Sequence, residues 1–214
     1  MESSLPIESM LSGKRLEMAR LQDTLVELIY SYVQPDAKMY GGTSIWRCYD
    51  GGRFSEDIDI YTGRGFSKKL ELWLSKGGLQ ITWRDPEISS NVRISNGVAE
   101  VLLEAKVGDA ESKLSQYRKI DGSAITIYTL TPTELLKRKI EAYSSRLYIR
   151  DLFDIFVLTN HLDKNDYSVS RPMKEFLKNI EKPVDERILA SLVYKGPAKM
   201  GFKEIVKYLE GWVR

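Results

Sequence analysis

The stretch Tyr40-Gly41-Gly42-Thr43-Ser44, continued through the Asp50-Gly51-Gly52 turn into Arg53-Phe54-Ser55-Glu56-Asp57-Ile58-Asp59, decides how the rest of the chain is read. Asp57 to Tyr61 alternates polar and apolar residues, the pattern of a strand with one buried face. Residues two apart on a strand project from the same face, so Asp57 and Asp59 point together. Two neighbouring carboxylates repel, and burying them is costly unless a cation neutralises them. Mg²⁺ (or Mn²⁺) takes hard oxygen ligands and shares its shell between carboxylates and substrate phosphates. A paired-metal site can activate an attacking oxygen and stabilise a leaving one. Gly41 and Gly42, without Cβ atoms, let a ligand approach the backbone closely. A helix starting at Thr43 would aim free N–H groups at an anion such as a triphosphate, and the Thr43 or Ser44 hydroxyl could add a hydrogen bond.

Outward from this stretch, Leu21, Leu25, Leu28, Ile29 and Tyr32 recur at helical spacing until Pro35. Ala37 to Tyr40 reads as a strand and Thr43 to Tyr49 as a short helix. Phe66 to Lys76 reads as a helix closed by Gly77-Gly78, and Leu79 to Trp83 as a strand. Asn91 to Ser95 and Val98 to Val107 flank Asn96-Gly97, a strong hairpin signal, and Ser123 to Leu130 is a further strand. The character then changes. In Thr131-Pro132-Thr133-Glu134, threonine can cap, proline suits the first helical position and glutamate can complete a capping box. Helical periodicity follows over 133–147, 149–162, 172–180, 184–194 and 202–213, punctuated by Pro172, Pro183 and Lys195-Gly196-Pro197. The expected fold is α+β: a mixed or antiparallel sheet with flanking helices over 1–130, then a helical domain over 131–214.

The 214 residues suffice for a core, and 43% hydrophobic with 29% charged residues excludes a disordered chain. A net charge of +2 gives no global basic field for nucleic acid. Short clusters such as Lys68-Lys69 and Lys137-Arg138-Lys139 read as solvated faces or as a local RNA-facing surface. A single cysteine, Cys48, precludes an internal disulfide and fits a reducing cytoplasm. With His161 the only histidine, Cys48 reads as a packed thiol rather than a nucleophile. No apolar run is long enough to span a membrane, and Met1-Glu2-Ser3-Ser4 lacks the start of a secretion signal. A cytoplasmic protein without a membrane partner is expected.

Tyr40-Gly41-Gly42-Thr43-Ser44 with Arg53-x-Ser55-x-Asp57-Ile58-Asp59 resembles the first motif of the AbiEii/AbiGii-type nucleotidyltransferases. These are toxins of type IV toxin–antitoxin systems, related to the MenT enzymes, within the DNA polymerase β-like superfamily. A second block is similar to the same family: Lys139-Ile140-x-Ala142, Arg146, then Arg150-Asp151-Leu152-Phe153-Asp154-Ile155. The resemblance implies transfer of a nucleoside monophosphate from an NTP to an RNA (tRNA end) or protein acceptor, and a neutralising antitoxin protein.

It also implies residue roles. Asp57 and Asp59 would hold Mg²⁺, with a third carboxylate on a neighbouring strand: Glu104, or Glu100 on the same face. Gly41, Gly42, Thr43, Ser44, Arg53, Ser55 and Arg146 would gather the NTP, although either arginine could instead partner an acid. Lys139 would reach the triphosphate from the edge of a core stripe of Leu136, Ile140 and Leu147, or else snorkel to the surface. Its removal is then expected to leave the melting temperature nearly unchanged. Asp151 would orient or support the site, and Asp154 would instead make a helix-surface ion pair. Two other readings keep the fold: a degenerate module that binds nucleotide or partner without catalysis, and a kinase-like phosphotransferase.

Overall fold

In a computed structural model the described residues are 6–85, 87–88, 91–195 and 200–214. The readings made on Met1 to Ser4 and on Gly196-Pro197 lie outside them. The chain divides into two compact units, one of Met1–Cys48 with Ser55–Leu130, the other of Tyr49–Phe54 with Thr131–Arg214.

The first unit is a seven-stranded mixed sheet with helices. Its strands are β1 (Lys38–Tyr40), β2 (Ile58–Thr62), β3 (Gln80–Arg84), β4 (Val92–Ser95), β5 (Glu100–Val107), β6 (Ser112–Arg118) and β7 (Ala124–Leu130). They lie in the order β3-β4-β5-β2-β1-β7-β6, with β2–β5 and β1–β7 parallel and the other pairs antiparallel. This is the α+β class that the sequence predicts. The Asn96-Gly97 turn forms as expected: Gly97 takes φ +85°, and Asn96 Oδ1 accepts from the Val98 and Ala99 N–H groups.

The helices of this unit are α1 (Gly13–Leu28), α2 (Gly41–Cys48) and α3 (Phe66–Lys76). α1 packs on β5, and α2 packs on β1, β2 and β6. One sheet face is apolar: Met39, Ile58, Ile60, Leu103 and Ala105 are fully buried. β6 has no counterpart in the sequence reading. Six of its seven residues, Ser-Lys-Leu-Ser-Gln-Tyr-Arg, escape burial, and only Tyr117 reaches the core, so an edge strand carries little apolar signal.

A buried ion pair ties α1 to α2. Asp23 meets Arg47 at 3.0 Å and also accepts from the Tyr117 hydroxyl and the Ile120 N–H. Burial pushes the Asp23 carboxyl up, with Arg47 the main counterweight. The Arg47 guanidinium also lies over the Trp46 ring at 4.0 Å.

The second unit contains α4 (Pro132–Arg146), α5 (Ile149–Leu158), α6 (Tyr167–Lys178), the short α7 (Leu189–Leu192) and α8 (Phe202–Trp212). The Thr131 hydroxyl caps α4 by accepting from the Glu134 N–H, and Leu147, at φ +54°, ends it. The helix expected over 149–162 ends at Leu158, followed by a 3₁₀ turn, Thr159–His161. Pro172 does not punctuate: α6 starts five residues earlier, capped by Asp166, and holds the proline inside. The Asp166 cap together with the buried Val169, Met173 and Phe176 holds the helix despite one forfeited backbone hydrogen bond. Tyr49–Phe54 belongs here because Phe54 N donates to Leu192 O and Arg53 bridges Val193.

Asp23→Ala should destabilise the protein by about 3–5 kcal/mol in urea unfolding, because it strands the buried Arg47 charge. A loss below about 1 kcal/mol, the surface-pair range, would contradict this.

Candidate active site

Asp59 sits at the centre of the sheet unit and is held by the ladder. It faces Tyr40 of β1 on one side and Glu104 of β5 on the other. Immediately after Tyr40 the chain turns into α2 at Gly41, with φ +74°. A Cβ at Gly41 would lie 2.0 Å from Asp59 Oδ2, so only glycine lets the helix start this close to the carboxylate. The helix therefore opens at Gly41, two residues before the expected Thr43.

Asp57 lies one residue before β2. Asp57, Asp59 and Tyr61 are half-buried while Ile58, Ile60 and Thr62 are buried, the alternation of a shared face. Three consecutive carbonyls deliver this acid. Gln22 Nε2 donates to Ser55 O and Glu56 O, each at 2.9 Å, and Thr43 Oγ1 donates to Asp57 O. Gln22 was not singled out in the sequence, although a polar residue beside Leu21 and Leu25 on a core helix was the available signal.

The two candidate third carboxylates separate by register. Glu104 is the direct neighbour of Asp59. Glu100 pairs with Ser95 instead, accepts from Thr82 and meets Arg93 at 3.5 Å. Four residues along a strand put it roughly 13 Å from Glu104.

The next row along the same face is aromatic and basic. Tyr128, Lys38, Tyr61 and Lys106 are register neighbours across β7, β1, β2 and β5, roughly 7 Å from the acids. Tyr61 stacks on Tyr40 at 4.7 Å. Lys38 also pairs with Asp109.

Among the described residues no three carboxylate, histidine or cysteine side chains converge into a ready metal cluster. The donor set along Asp57, Asp59 and Glu104 is nonetheless all hard oxygen, which fits Mg²⁺ or Mn²⁺. The Thr43 and Ser44 side chains are fully buried, and their hydroxyls bond inward, to Asp57 O and to Thr129 Oγ1. Ser55 is buried as well, its carbonyl bound by Gln22. The Cys48 thiol is pushed up to about 12 by burial, against a smaller pull from Arg47, so it stays protonated at neutral pH.

The second motif block builds a charge network inside the helical unit. Arg53 grips Asp154 through two hydrogen bonds of 2.6 Å and also donates to Phe54 O. Lys139 Nζ lies 3.0 Å from Asp151 and 2.7 Å from Asp154. Arg146 makes two bonds to Asp151, of 2.8 and 2.9 Å. Only Arg146 is substantially exposed, at 40% of its side chain. Lys139 lies in the centre of the buried stripe of Leu135, Leu136 and Tyr143, not at the edge of one formed by Leu136, Ile140 and Leu147. Its charge is tolerated there because two carboxylates meet it, and Asp154 is a core partner rather than a surface one. Burial pushes the Asp151 carboxyl up, yet the Arg146 hydrogen bonds and the Lys139 charge outweigh it and hold it below the usual range.

A family model described as "Nucleotidyl transferase AbiEii toxin, Type IV TA system" matches residues 24–195. The chain belongs to this family. It is a nucleotidyltransferase, and both sequence blocks fall within the matched region. A sequence search of curated proteins finds no match. The structure of JHP933 from Helicobacter pylori superposes with a TM-score of 0.63 at 19% identity, covering 95% of this chain and 91% of that one. MenT4, a nucleotidyltransferase toxin from Mycobacterium tuberculosis H37Rv, gives 0.56 at 18% identity, covering 94% and 82%. ANT(2'')-Ia, solved in complex with adenylyl-2''-tobramycin, gives 0.50 at 11% identity, covering 76% and 98%. At these identities the likeness shows the shared nucleotidyltransferase fold.

Lys139→Met should lower stability by about 1.5–3 kcal/mol, since Asp151 and Asp154 each lose a charged contact while keeping an arginine, whereas a surface lysine would cost almost nothing. Differential scanning calorimetry decides between them. Asp151 gives this network its pH dependence. Its unfolded pKa is about 3.9 and its folded value lower, so its contribution is complete above 3.9 and fades as pH falls through the folded value. The stability gap between wild type and Asp151→Asn, from urea unfolding, should be widest near pH 7 and shrink below pH ~4. A gap independent of pH would contradict the depressed carboxyl.

Proposed function

We propose that this AbiEii-family enzyme transfers a nucleoside monophosphate from an NTP to the hydroxyl end of an RNA, with Mg²⁺ or Mn²⁺ held by Asp57, Asp59 and Glu104. The observation that carries the reading is the register: Asp59 lies between Tyr40, where α2 is about to begin, and Glu104. Three oxygen donors beside a glycine-opened helix start match what a metal–triphosphate needs. The metal, when bound, would neutralise phosphate charge and polarise the α-phosphate for displacement of pyrophosphate.

The protein's own groups do the rest. The first turn of α2, from Gly41, offers backbone N–H groups to the triphosphate, since the Thr43 and Ser44 hydroxyls serve the fold. Glu104 accepts the acceptor's proton or completes the oxygen set. In the helical unit, three cations (Arg53, Lys139, Arg146) face two carboxylates (Asp151, Asp154), leaving one positive charge that suits a phosphate. Arg146, the exposed member, is the natural contact. An RNA acceptor is favoured over a protein by the Tyr128-Lys38-Tyr61-Lys106 row, since tyrosines can stack on bases and lysines meet phosphates. Membership of a type IV toxin family supports a cognate antitoxin protein as partner, and a cytoplasmic site of action is part of the same proposal. No described helix is long and apolar enough to cross a membrane.

Incubation with α- or γ-labelled NTPs, Mg²⁺ and total RNA or protein tests the reading. The α-label should enter RNA. Transfer of the γ-label would establish a phosphotransferase, and α-label entering protein alone would overturn the RNA acceptor. Asp59→Asn and Glu104→Gln should each lower transfer on the order of 10²–10³-fold, the scale of losing one electrostatic stabiliser. Glu100→Gln should stay close to wild type; the reverse ranking of Glu100 and Glu104 would move the third carboxylate.

A further inference from the structure

Gln22, a polar side chain of α1, reaches the backbone leading into Asp57. It is fully buried, with Leu21, Leu25 and Val26 around it on the helix, a setting where leucine or methionine would pack without cost. Its Nε2 places both hydrogens, one on Ser55 O and one on Glu56 O. Two accepted contacts to carbonyls fix which end of the amide is nitrogen. Its Oε1 is buried without a hydrogen-bond partner among the described residues. Evident stability is therefore not what recommends glutamine here.

Residues 55–57 precede the ladder, since β2 and its described pairings begin at Ile58. Asp59 and Glu104 inherit their positions from the ladder, but Asp57 does not. Its direction is set by side chains: Gln22 on the two preceding carbonyls, and Thr43 on its own. Fixing three successive carbonyls fixes the dihedrals between them, and with them the Cα–Cβ direction of Asp57. We infer that Gln22 is a positioning residue for Asp57, holding the acid in register with Asp59 so that both can meet one cation. The inference rests on the proposed role of Asp57 in binding metal.

Gln22→Met tests it. Methionine keeps the length, fills the same space and removes both donors. The variant should fold with a melting temperature close to wild type. Hydrogen exchange, followed by mass spectrometry without metal or nucleotide, should speed up in the 54–58 segment. The Mg²⁺ concentration for half-maximal transfer should rise several-fold, while the KM for NTP at saturating Mg²⁺ stays within about twofold. Thr43→Val, which removes the third donor isosterically, should shift exchange and Mg²⁺ midpoint the same way. Val26→Ala, a cavity in the same helix, should lower the melting temperature without moving the Mg²⁺ midpoint. Unchanged exchange in Gln22→Met overturns the inference, as does faster exchange with an unchanged Mg²⁺ midpoint. Asp57→Asn, measured alongside, locates a failure: if it too leaves the midpoint unmoved, the metal role of Asp57 is at fault, and exchange alone judges the clamp.

Discussion

No atom larger than hydrogen fits on the α-carbon of residue 41, because the Asp59 carboxylate occupies that space. Much of the sheet unit follows from this contact. β1 can end at Tyr40 and α2 begin at once only because Gly41 accepts a left-handed backbone. β1 then pairs antiparallel with β2 so that Tyr40 faces Asp59, and β5 runs parallel to β2 with Glu104 abreast. A shift of one residue in either pairing would turn the acids into the core and Ile58 and Ile60 out of it. The apolar face under α1 and α2 therefore enforces the same register that aligns the carboxylates.

The chain holds its acids in three different ways. Asp59 and Glu104 are fixed by backbone pairing, which needs no particular side chain nearby. Asp57 depends on donors from α1 and α2. Asp151 and Asp154 are buried outright and balanced by Lys139, Arg53 and Arg146. Such a network is poor at adding stability compared with apolar packing, but it is intolerant of losing one member. That intolerance separates the two motif blocks physically. The acids of the first stand half-exposed on a sheet face, whereas its Arg53 and most charges of the second form part of a core.

The strands and helices with strong local signals were legible in the sequence: the Asn96-Gly97 hairpin, the acid strand, α3, and the capped start of α4. β6 was not, since an edge strand with one buried residue has no alternation to read. The start of α6 was hidden because proline at 172 is a louder signal than aspartate at 166. Asp57 and Asp59 could be named from spacing, but the third carboxylate came only from the family resemblance, and Glu104 and Glu100, which share a face, differ in strand register. The motif left Arg53 open between a phosphate ligand and a partner for an acid. Its partner Asp154 is 101 residues away, a pairing no local pattern can announce. The hydroxyls of Thr43 and Ser44 illustrate the same limit, for their inward bonds depend on Asp57 and Thr129.

The six residues Tyr49–Phe54 leave the sheet unit after α2 and join the helical one, where Gly52 O accepts from Tyr194 and Lys195. There is no room for a side chain at Gly52, as Lys195 O would lie 1.8 Å from its Cβ. During synthesis this short segment emerges long before its partners near residue 193. Loop closure over such a separation is slow compared with local structure. The segment sits directly upstream of Ser55 and the acid strand, so the ribosome must deliver almost the whole polypeptide before the backbone on both sides of that junction is secured. Order of synthesis therefore parts two neighbours in the chain: the acid strand emerges early with its sheet, while the partners of the segment just before it emerge late.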